Sequence, residues 1–225
     1  MTMLGLDFLD IATTIAVAAI PVIFAITVHE VAHGWVALRL GDSTAQRAGR
    51  LTLNPIKHVD PLGTLIVPIG MLVISQGAWA FGWAKPVPVA FHKLRNPRRD
   101  MILVAAAGPG ANLLMAMAWA LSLSLILPLL GDGGIGVLIA RVCMTGIIIN
   151  VLLAVFNMLP IPPLDGGRVL AGLLPVNMAS VMHKLEPFGF FIVIGLLVTD
   201  NLFPILEPIL FPLLRFFQRT IAGLA

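Results

Sequence analysis

The chain of 225 residues has few charged side chains, no tyrosine and a single cysteine. Charged residues make up 11% of the sequence, less than half of the roughly 25% that is usual in soluble domains. Hydrophobic residues make up 59%, which is more apolar surface than a water-soluble core of this length can enclose. With Cys143 alone, no disulfide framework can form within the chain. The composition predicts a protein whose solvent is the lipid bilayer.

The net charge of +3 does not indicate a nucleic-acid-binding protein. The basic residues lie in short loops between apolar runs, as the positive-inside rule of membrane proteins describes. The first apolar run follows Asp7 rather than a basic segment, and no small-residue cleavage site ends it, so we expect a retained helix and not a signal peptide. We therefore expect an integral membrane protein of a prokaryotic plasma membrane, with the lipid bilayer as a partner and no nucleic acid.

Apolar runs dominate the whole chain, with no internal repeat and no soluble domain between them. A run of about 20 residues is long enough to cross the roughly 30 Å hydrocarbon core as a helix. We expect residues 1–225 to form one membrane-embedded domain. The runs cover residues 9–40, 62–80, 101–130, 135–159, 181–198 and 202–217.

The run at residues 62–80 is predicted to be a re-entrant segment. Basic loops flank it at residues 39–57 and 85–99, and a full crossing would place these two loops on opposite faces, against the positive-inside rule. Pro68 and Gly70 in its middle favour a break in the helix. With this segment re-entrant, both loops face the cytoplasm.

The loop at residues 41–60 contains the alternating stretch Arg50-Leu51-Thr52-Leu53, which predicts a short hairpin at the membrane surface. The predicted fold is therefore an all-α polytopic membrane protein. It has about five transmembrane helices, one re-entrant segment and a small membrane-surface β element.

The first run contains the motif H-E-x-x-H, as His29, Glu30 and His33. On a helix, positions i and i+4 share a face, so both imidazoles can reach one zinc ion. The carboxylate between them can take a proton from a metal-bound water. The alternative is a pair of structural histidines at the membrane border, but ionisable groups inside an apolar run are costly and usually functional.

The second motif unwinds the chain where Pro160, Pro162 and Pro163 interrupt the helix. Asp165 follows this break on the predicted inner side, where it can supply the third ligand of an open catalytic zinc site. Taken alone, it would more readily be an interfacial aspartate that caps the next helix, but its combination with H-E-x-x-H favours a ligand. Asn157, at the end of the preceding apolar run, could hold substrate or stabilise an oxyanion, or make an interhelical hydrogen bond.

Together these residues resemble the site-2 protease family of intramembrane zinc metalloproteases, in its short branch lacking a PDZ domain. The resemblance covers residues 9–175. Three elements carry it: the H-E-x-x-H helix, the pattern N-x-x-P-x-P-x-L-D-G from Asn157 to Gly166, and Gly108-Pro109-Gly110-Ala111-Asn112, which is similar to the family's G-P-x-x-N helix.

The resemblance implies one zinc per chain, held by His29, His33 and Asp165. It implies Glu30 as general base and acid, and Asn157 as the residue that orients substrate. The reaction would be hydrolysis of a peptide bond in a transmembrane protein or peptide, in regulated intramembrane proteolysis or the clearance of signal-peptide remnants.

The resemblance also implies a supporting role for the G-P-x-x-N helix, in which Gly108, Pro109 and Asn112 allow close packing beside the site. His58, in the inner loop, is either an accessory ligand or, more commonly for this setting, a solvated loop histidine.

An intramembrane carrier of metal ions or protons is the main alternative to a protease, because histidines and carboxylates in membranes also mark ion pathways. Such a carrier has no need of a carboxylate base between two ligands, so Glu30 separates the two hypotheses. A serine protease is disfavoured because the sequence has no G-x-S-x-G motif.

Overall fold

The computed structural model describes residues 8–74, 82–130 and 133–223, and these ranges contain helices and no strand. Short helical turns occur at Pro55–Lys57, Pro61–Ile66, Phe91–Lys93 and Phe216–Ile221. The α-helices of these ranges are α1 Phe8–Arg39, α2 Thr44–Arg47, α3 Val67–Ile74, α4 Pro97–Leu130, α5 Gly134–Asn157, α6 Asp165–Leu173, α7 Val176–Val198 and α8 Leu202–Arg215.

Four of the helices, α1, α4, α5 and α7, are long and apolar enough to cross a membrane. The run predicted at residues 202–217 is also helical, as α8, whose 14 residues continue directly into the turn Phe216–Ile221. Large apolar side chains point outward from the spans, and Leu114, Leu125 and Phe191 are each at least 70% exposed. In a bilayer this surface faces lipid. The prediction of an all-α polytopic membrane protein is confirmed.

Helix α4 lies at the centre of the fold, where it packs against α1, α5 and α6. Its buried Ala116 and Ala120 belong to the main apolar cluster together with Ile147 and Val151 of α5. Small residues at such contacts let helix backbones approach closely, which is how helices associate in lipid.

Hydrogen bonds join the two ends of the segment that the sequence predicts to be re-entrant. The Trp83 N–H donates to the Gly63 carbonyl at 3.0 Å, and the Lys85 N–H donates to the His58 carbonyl at 2.9 Å. Helix α3 lies between these paired ends, and residues 75–81 lie outside the described ranges. Because the two ends are hydrogen-bonded together, they lie at the same level of the molecule, as a re-entrant path requires; the path itself stays a prediction.

The predicted hairpin at residues 41–60 is not present, since this fully described loop contains α2 and a helical turn and no strand. The alternation that suggested it has another cause. The Arg50 side chain is turned inward, is only 8% exposed and donates from its guanidinium to the Lys85 carbonyl at 2.7 Å. The Asn54 side chain accepts a hydrogen bond from the Ile56 N–H and so starts a turn instead of a strand.

Asp42, just beyond α1, ties this loop to the segment before α4. Its Oδ1 accepts from the Thr44 N–H at 2.9 Å and from the Thr44 hydroxyl, and its Oδ2 accepts from the Ala90 N–H at 2.6 Å. The carboxylate is fully buried. Burial raises its pKa, but these hydrogen bonds favour the charged form more strongly, so the pKa of Asp42 lies below its ordinary value of 3.8.

We expect Asp42→Asn to lower the stability of the protein by about 1–3 kcal/mol, because an amide nitrogen would then face one of the three donors. Since the pKa is depressed in the folded state, the stabilisation by Asp42 is complete above pH 4 and is lost as the pH falls through the folded pKa. Thermal unfolding in detergent, followed by circular dichroism from pH 7 to pH 3, measures both effects. An Asn variant with the acid dependence of the wild type would contradict this account.

Candidate active site

The two histidines of α1 meet Asp165, the first residue of α6. The Nε2 atoms of His29 and His33 are 3.0 Å apart, and each lies 3.3 Å from Oδ2 of Asp165. The three side chains are 10%, 12% and 9% exposed. The structure thus brings together the three residues that the sequence predicts as metal ligands.

The other ring nitrogen of each histidine is bonded to an acceptor. Nδ1 of His29 donates to the Asn112 side-chain oxygen at 2.6 Å, and Nδ1 of His33 donates to the Val104 carbonyl at 2.7 Å. These bonds place the protons on Nδ1 and leave the Nε2 lone pairs facing each other and the Asp165 carboxylate. Oδ2 of Asp165 is buried and has no hydrogen-bond donor. With both imidazoles neutral, three acceptor atoms therefore converge on one point.

This cluster fits a zinc ion. Ligand atoms bound to a tetrahedral zinc at about 2.0–2.1 Å lie about 3.3 Å apart, which matches the separations of 3.0 to 3.3 Å between the three acceptors. A cation at the centre would also compensate the unpartnered carboxylate oxygen, which is costly to bury without a partner. Two imidazoles and one carboxylate leave a fourth position for water, as catalytic zinc sites do.

Two buried asparagine amides, linked by a hydrogen bond, fix the orientation of the His29 imidazole. Asn112 of α4 donates from Nδ2 to the Asn150 side-chain oxygen at 2.9 Å and to the Ala25 carbonyl at 3.3 Å. Asn150 of α5 in turn donates to the Gly146 carbonyl at 2.8 Å. Both asparagines are fully buried. Since both acceptors of Nδ2 are oxygens, the amide of Asn112 is held with its oxygen towards His29.

The sequence predictions did not include Asn150. The available signal was a polar amide inside the apolar run at residues 135–159, since polar side chains within a membrane face other polar groups. Nothing local indicates that its partner is Asn112 of another helix.

Gly108 provides the space for the two imidazoles. A Cβ at this position would lie 2.4 Å from Nε2 of His33 and 2.6 Å from Cε1 of His29. The next residue, Pro109, has no N–H to give to the carbonyl four residues before it, so this turn of α4 is not fully bonded within the helix. The neighbouring Val104 carbonyl is the acceptor for His33.

The proline-rich motif lies between two helices, and Asp165 directly follows it. Helix α5 ends at Asn157, residues 158–164 are not helical, and α6 begins at Asp165. Gly166 and Gly167 allow α6 to pack back on this loop, since a Cβ at Gly166 would lie 2.2 Å from the Met158 carbonyl oxygen and one at Gly167 2.5 Å from the Pro162 nitrogen. The tight turn thus requires both glycines.

Glu30 is half-buried beside His29. Its Oε2 accepts a hydrogen bond from the Val87 main-chain N–H at 2.6 Å. This partner comes from the non-helical segment of residues 82–90, and the sequence predictions did not include it.

Two predicted site residues make their hydrogen bonds outside the group of three. The Asn157 amide donates to the Leu153 carbonyl of its own helix at 3.0 Å. His58 is not a solvated loop histidine, because it is only 2% exposed and its Nε2 donates to the Thr52 carbonyl at 2.9 Å. The main-chain carbonyl of His58 in turn accepts a hydrogen bond from the Lys85 N–H, so this residue joins the loop to the segment before α4.

Comparisons with known proteins agree on one class. The model of the family described as "Peptidase family M50" matches residues 134–200. A protein of Bacillus subtilis named "Putative zinc metalloprotease YwhC" is 37% identical over 202 residues, which are 87% of this chain and 84% of that protein. "Putative zinc metalloprotease Rip2" of Mycolicibacterium smegmatis is 32% identical over 183 residues, 80% of this chain and 66% of that protein. No solved structure matches the chain.

The membrane-spanning helices, the buried histidine and aspartate ligand set and these relatives define a zinc metalloprotease that is an integral membrane protein. The Bacillus subtilis relative is 37% identical to this chain over 84% of its own length, and the family model matches as well. The chain therefore belongs to peptidase family M50.

We expect Gly108→Ala to weaken zinc binding by at least about tenfold, because the added methyl group displaces the ligand imidazoles. Gly110→Ala is the matched control on the same helix, since a Cβ there has nothing within 4 Å. Zinc retained during titration with a chelator, measured by elemental analysis, reports the difference. Equal zinc retention in the two variants would contradict the assigned packing.

We expect Asn150→Leu to lower zinc affinity by about 10- to 100-fold, the usual effect of removing a group that orients a metal ligand. Without the Asn150 oxygen, the Asn112 amide is free to turn its nitrogen towards His29. Thr145→Val on α5 is the control, because Thr145 is only partly buried and its hydroxyl bonds to the Arg141 carbonyl one turn back in its own helix. The same chelator titration measures the zinc affinity. An affinity of Asn150→Leu equal to that of the control would refute the role of Asn150 in orienting Asn112.

Proposed function

We propose that this protein is an intramembrane endopeptidase that hydrolyses peptide bonds in or near transmembrane segments of substrate proteins. Its role would be regulated intramembrane proteolysis or the clearance of signal-peptide remnants. The observation that carries the proposal is the buried group of His29, His33 and Asp165, built from a membrane-spanning helix and the start of α6, with Glu30 beside it.

In this mechanism His29, His33 and Asp165 hold the zinc ion. Bound there, zinc supplies a Lewis acid that polarises the scissile carbonyl and makes water acidic enough to lose a proton near neutral pH. Glu30, next to His29 in the chain, takes that proton and later delivers it to the leaving amine.

Asn157 would donate a hydrogen bond to the negative charge that develops on the carbonyl oxygen. Its amide nitrogen bonds to the Leu153 carbonyl, so this role requires the amide to exchange that bond for the substrate.

The substrate must be unwound at the cleavage point, because a helical peptide bond has its carbonyl engaged by the N–H four residues later. Residues 83–89 are a candidate partner for the unwound strand by β-augmentation. In support, the N–H groups of Trp83, Lys85 and Val87 bond to Gly63, His58 and Glu30, which is every second residue, the period of an extended chain.

We further propose that residues 1–225 work as one domain in a prokaryotic plasma membrane, with the active site towards the cytoplasm. The support is the basic loops on both sides of the re-entrant segment, which the positive-inside rule assigns to the cytoplasmic face.

Glu30→Gln separates this function from ion transport. We expect this variant to retain one zinc per chain and to lose at least about 100-fold of the cleavage rate, because general base catalysis typically contributes this much. The measurements are elemental analysis and cleavage of a transmembrane model substrate in detergent or nanodiscs.

Glu207→Gln is the matched control, since Glu207 is exposed on α8, and it should cleave as the wild type does. Full activity in Glu30→Gln would exclude the proposed base. A zinc-free wild type after metal supplementation would exclude the metalloprotease mechanism.

A further inference from the structure

We propose that the main-chain N–H of Val87 is a positioning group for catalysis, which holds the Glu30 carboxylate in the orientation that a general base needs. This inference rests on the proposed function. It is carried by the hydrogen bond of 2.6 Å from the Val87 N–H to Oε2 of Glu30 and by the way the surrounding chain presents that one donor.

The contact is short and charge-assisted, the kind of hydrogen bond that is stronger and more directional than a neutral one. It engages Oε2, so that Oε1 is the oxygen that would receive the proton. A glutamate side chain has several rotatable bonds and loses appreciable entropy when it is fixed. A base that is held before substrate arrives avoids this cost during the reaction.

The local sequence presents this donor alone. Val87 stands between Pro86 and Pro88, and proline has no N–H and a nearly fixed φ angle. Val87 is therefore the single main-chain donor in these three residues. If the segment moved by one residue in either direction, a proline nitrogen would face Glu30 and the bond would be lost.

Contacts on both sides of Val87 fix the segment. Before it, Lys85 donates its N–H to the His58 carbonyl at 2.9 Å, and its own carbonyl accepts from Arg50 at 2.7 Å. After it, the Ala90 N–H donates to Asp42 at 2.6 Å. The segment is thus anchored to the loop after α1 on both sides of its contact with Glu30.

The Val87 side chain is buried against α1. It is 7% exposed, and it lies so near the helix that a Cβ at Gly34 would be 2.9 Å from its Cγ1. Gly34 follows His33 directly, so the segment and the ligand-bearing turn of α1 are in contact at the site itself.

The opposite role would be an inhibitory latch, in which the same bond occupies Glu30 until substrate displaces the segment. The two roles predict changes of opposite sign when the N–H is removed. A positioning group accelerates the reaction, whereas a latch slows it.

The test replaces the amide between Pro86 and Val87 with an ester, by incorporating the hydroxy acid analogue of valine during cell-free synthesis of the full chain into nanodiscs. The side chain is kept and the N–H becomes an oxygen. We expect kcat to fall about 10- to 100-fold, the range of one hydrogen bond to a charged group, with KM and zinc content unchanged. Val87→Ala, which trims the side chain and keeps the N–H, should lose much less of kcat than the ester.

A rise in kcat would overturn the proposal in favour of the latch. An unchanged kcat, or a rise in KM alone, would also overturn it, the latter indicating that the segment only binds substrate. If Val87→Ala loses as much of kcat as the ester, the contribution is packing and the proposal fails.

A second measurement separates this inference from the proposed function. The melting temperatures of wild type, Glu30→Ala, the Val87 ester and the combined variant form a double-mutant cycle that requires no cleavage. We expect non-additive changes, because the ester removes a bond that Glu30→Ala has already removed. Additive changes would exclude the bond even in an active enzyme. If the changes in melting temperature are non-additive but the wild type does not cleave its substrate, the proposed function is refuted and the hydrogen bond is not.

Discussion

Three electron-pair donors face one another in the interior of this protein, and the rest of the structure serves to keep them there. The Nε2 atoms of His29 and His33 and the Asp165 carboxylate lie within 3.3 Å of one another. At low dielectric such an arrangement repels unless a cation fills it. Zinc resolves this conflict, which links metal binding to the assembly of α1 with α6.

Around the site, glycines provide the space that the ligand side chains need, and asparagines provide the hydrogen bonds that orient them. Gly108 gives the imidazoles room, while Gly166 and Gly167 let α6 turn back onto the end of α5. Asn112 and Asn150 use hydrogen bonds between α1, α4 and α5 to fix one imidazole. In lipid, where apolar contact alone does not drive helices together, glycines and buried amides of this kind also hold the bundle. The same residues therefore serve both the fold and the site.

The errors of prediction follow from contacts that the local sequence does not contain. The alternating stretch after Arg50 suggested a hairpin, but the arginine is turned inward to the Lys85 carbonyl and no strand forms. His58 has the sequence context of an exposed loop residue and is nearly fully buried. The partner of Arg50 lies in the segment before α4, and the main-chain carbonyl of His58 accepts from Lys85 of the same segment, while the His58 side chain donates to Thr52. Periodicity carries no information about such partners.

The sequence by itself determined what depends on spacing along one helix and on composition. Long apolar runs specify membrane-spanning helices, and the i, i+4 spacing places His29 and His33 on one face because the helix repeats every 3.6 residues. The prolines after Asn157 end α5 because proline cannot continue a helix. Tertiary structure alone decided that Asn150 supports Asn112 and that the Val87 N–H reaches Glu30. These contacts join segments distant in sequence, and only the packing of the helices and the anchoring of the loop bring them to hydrogen-bond distance.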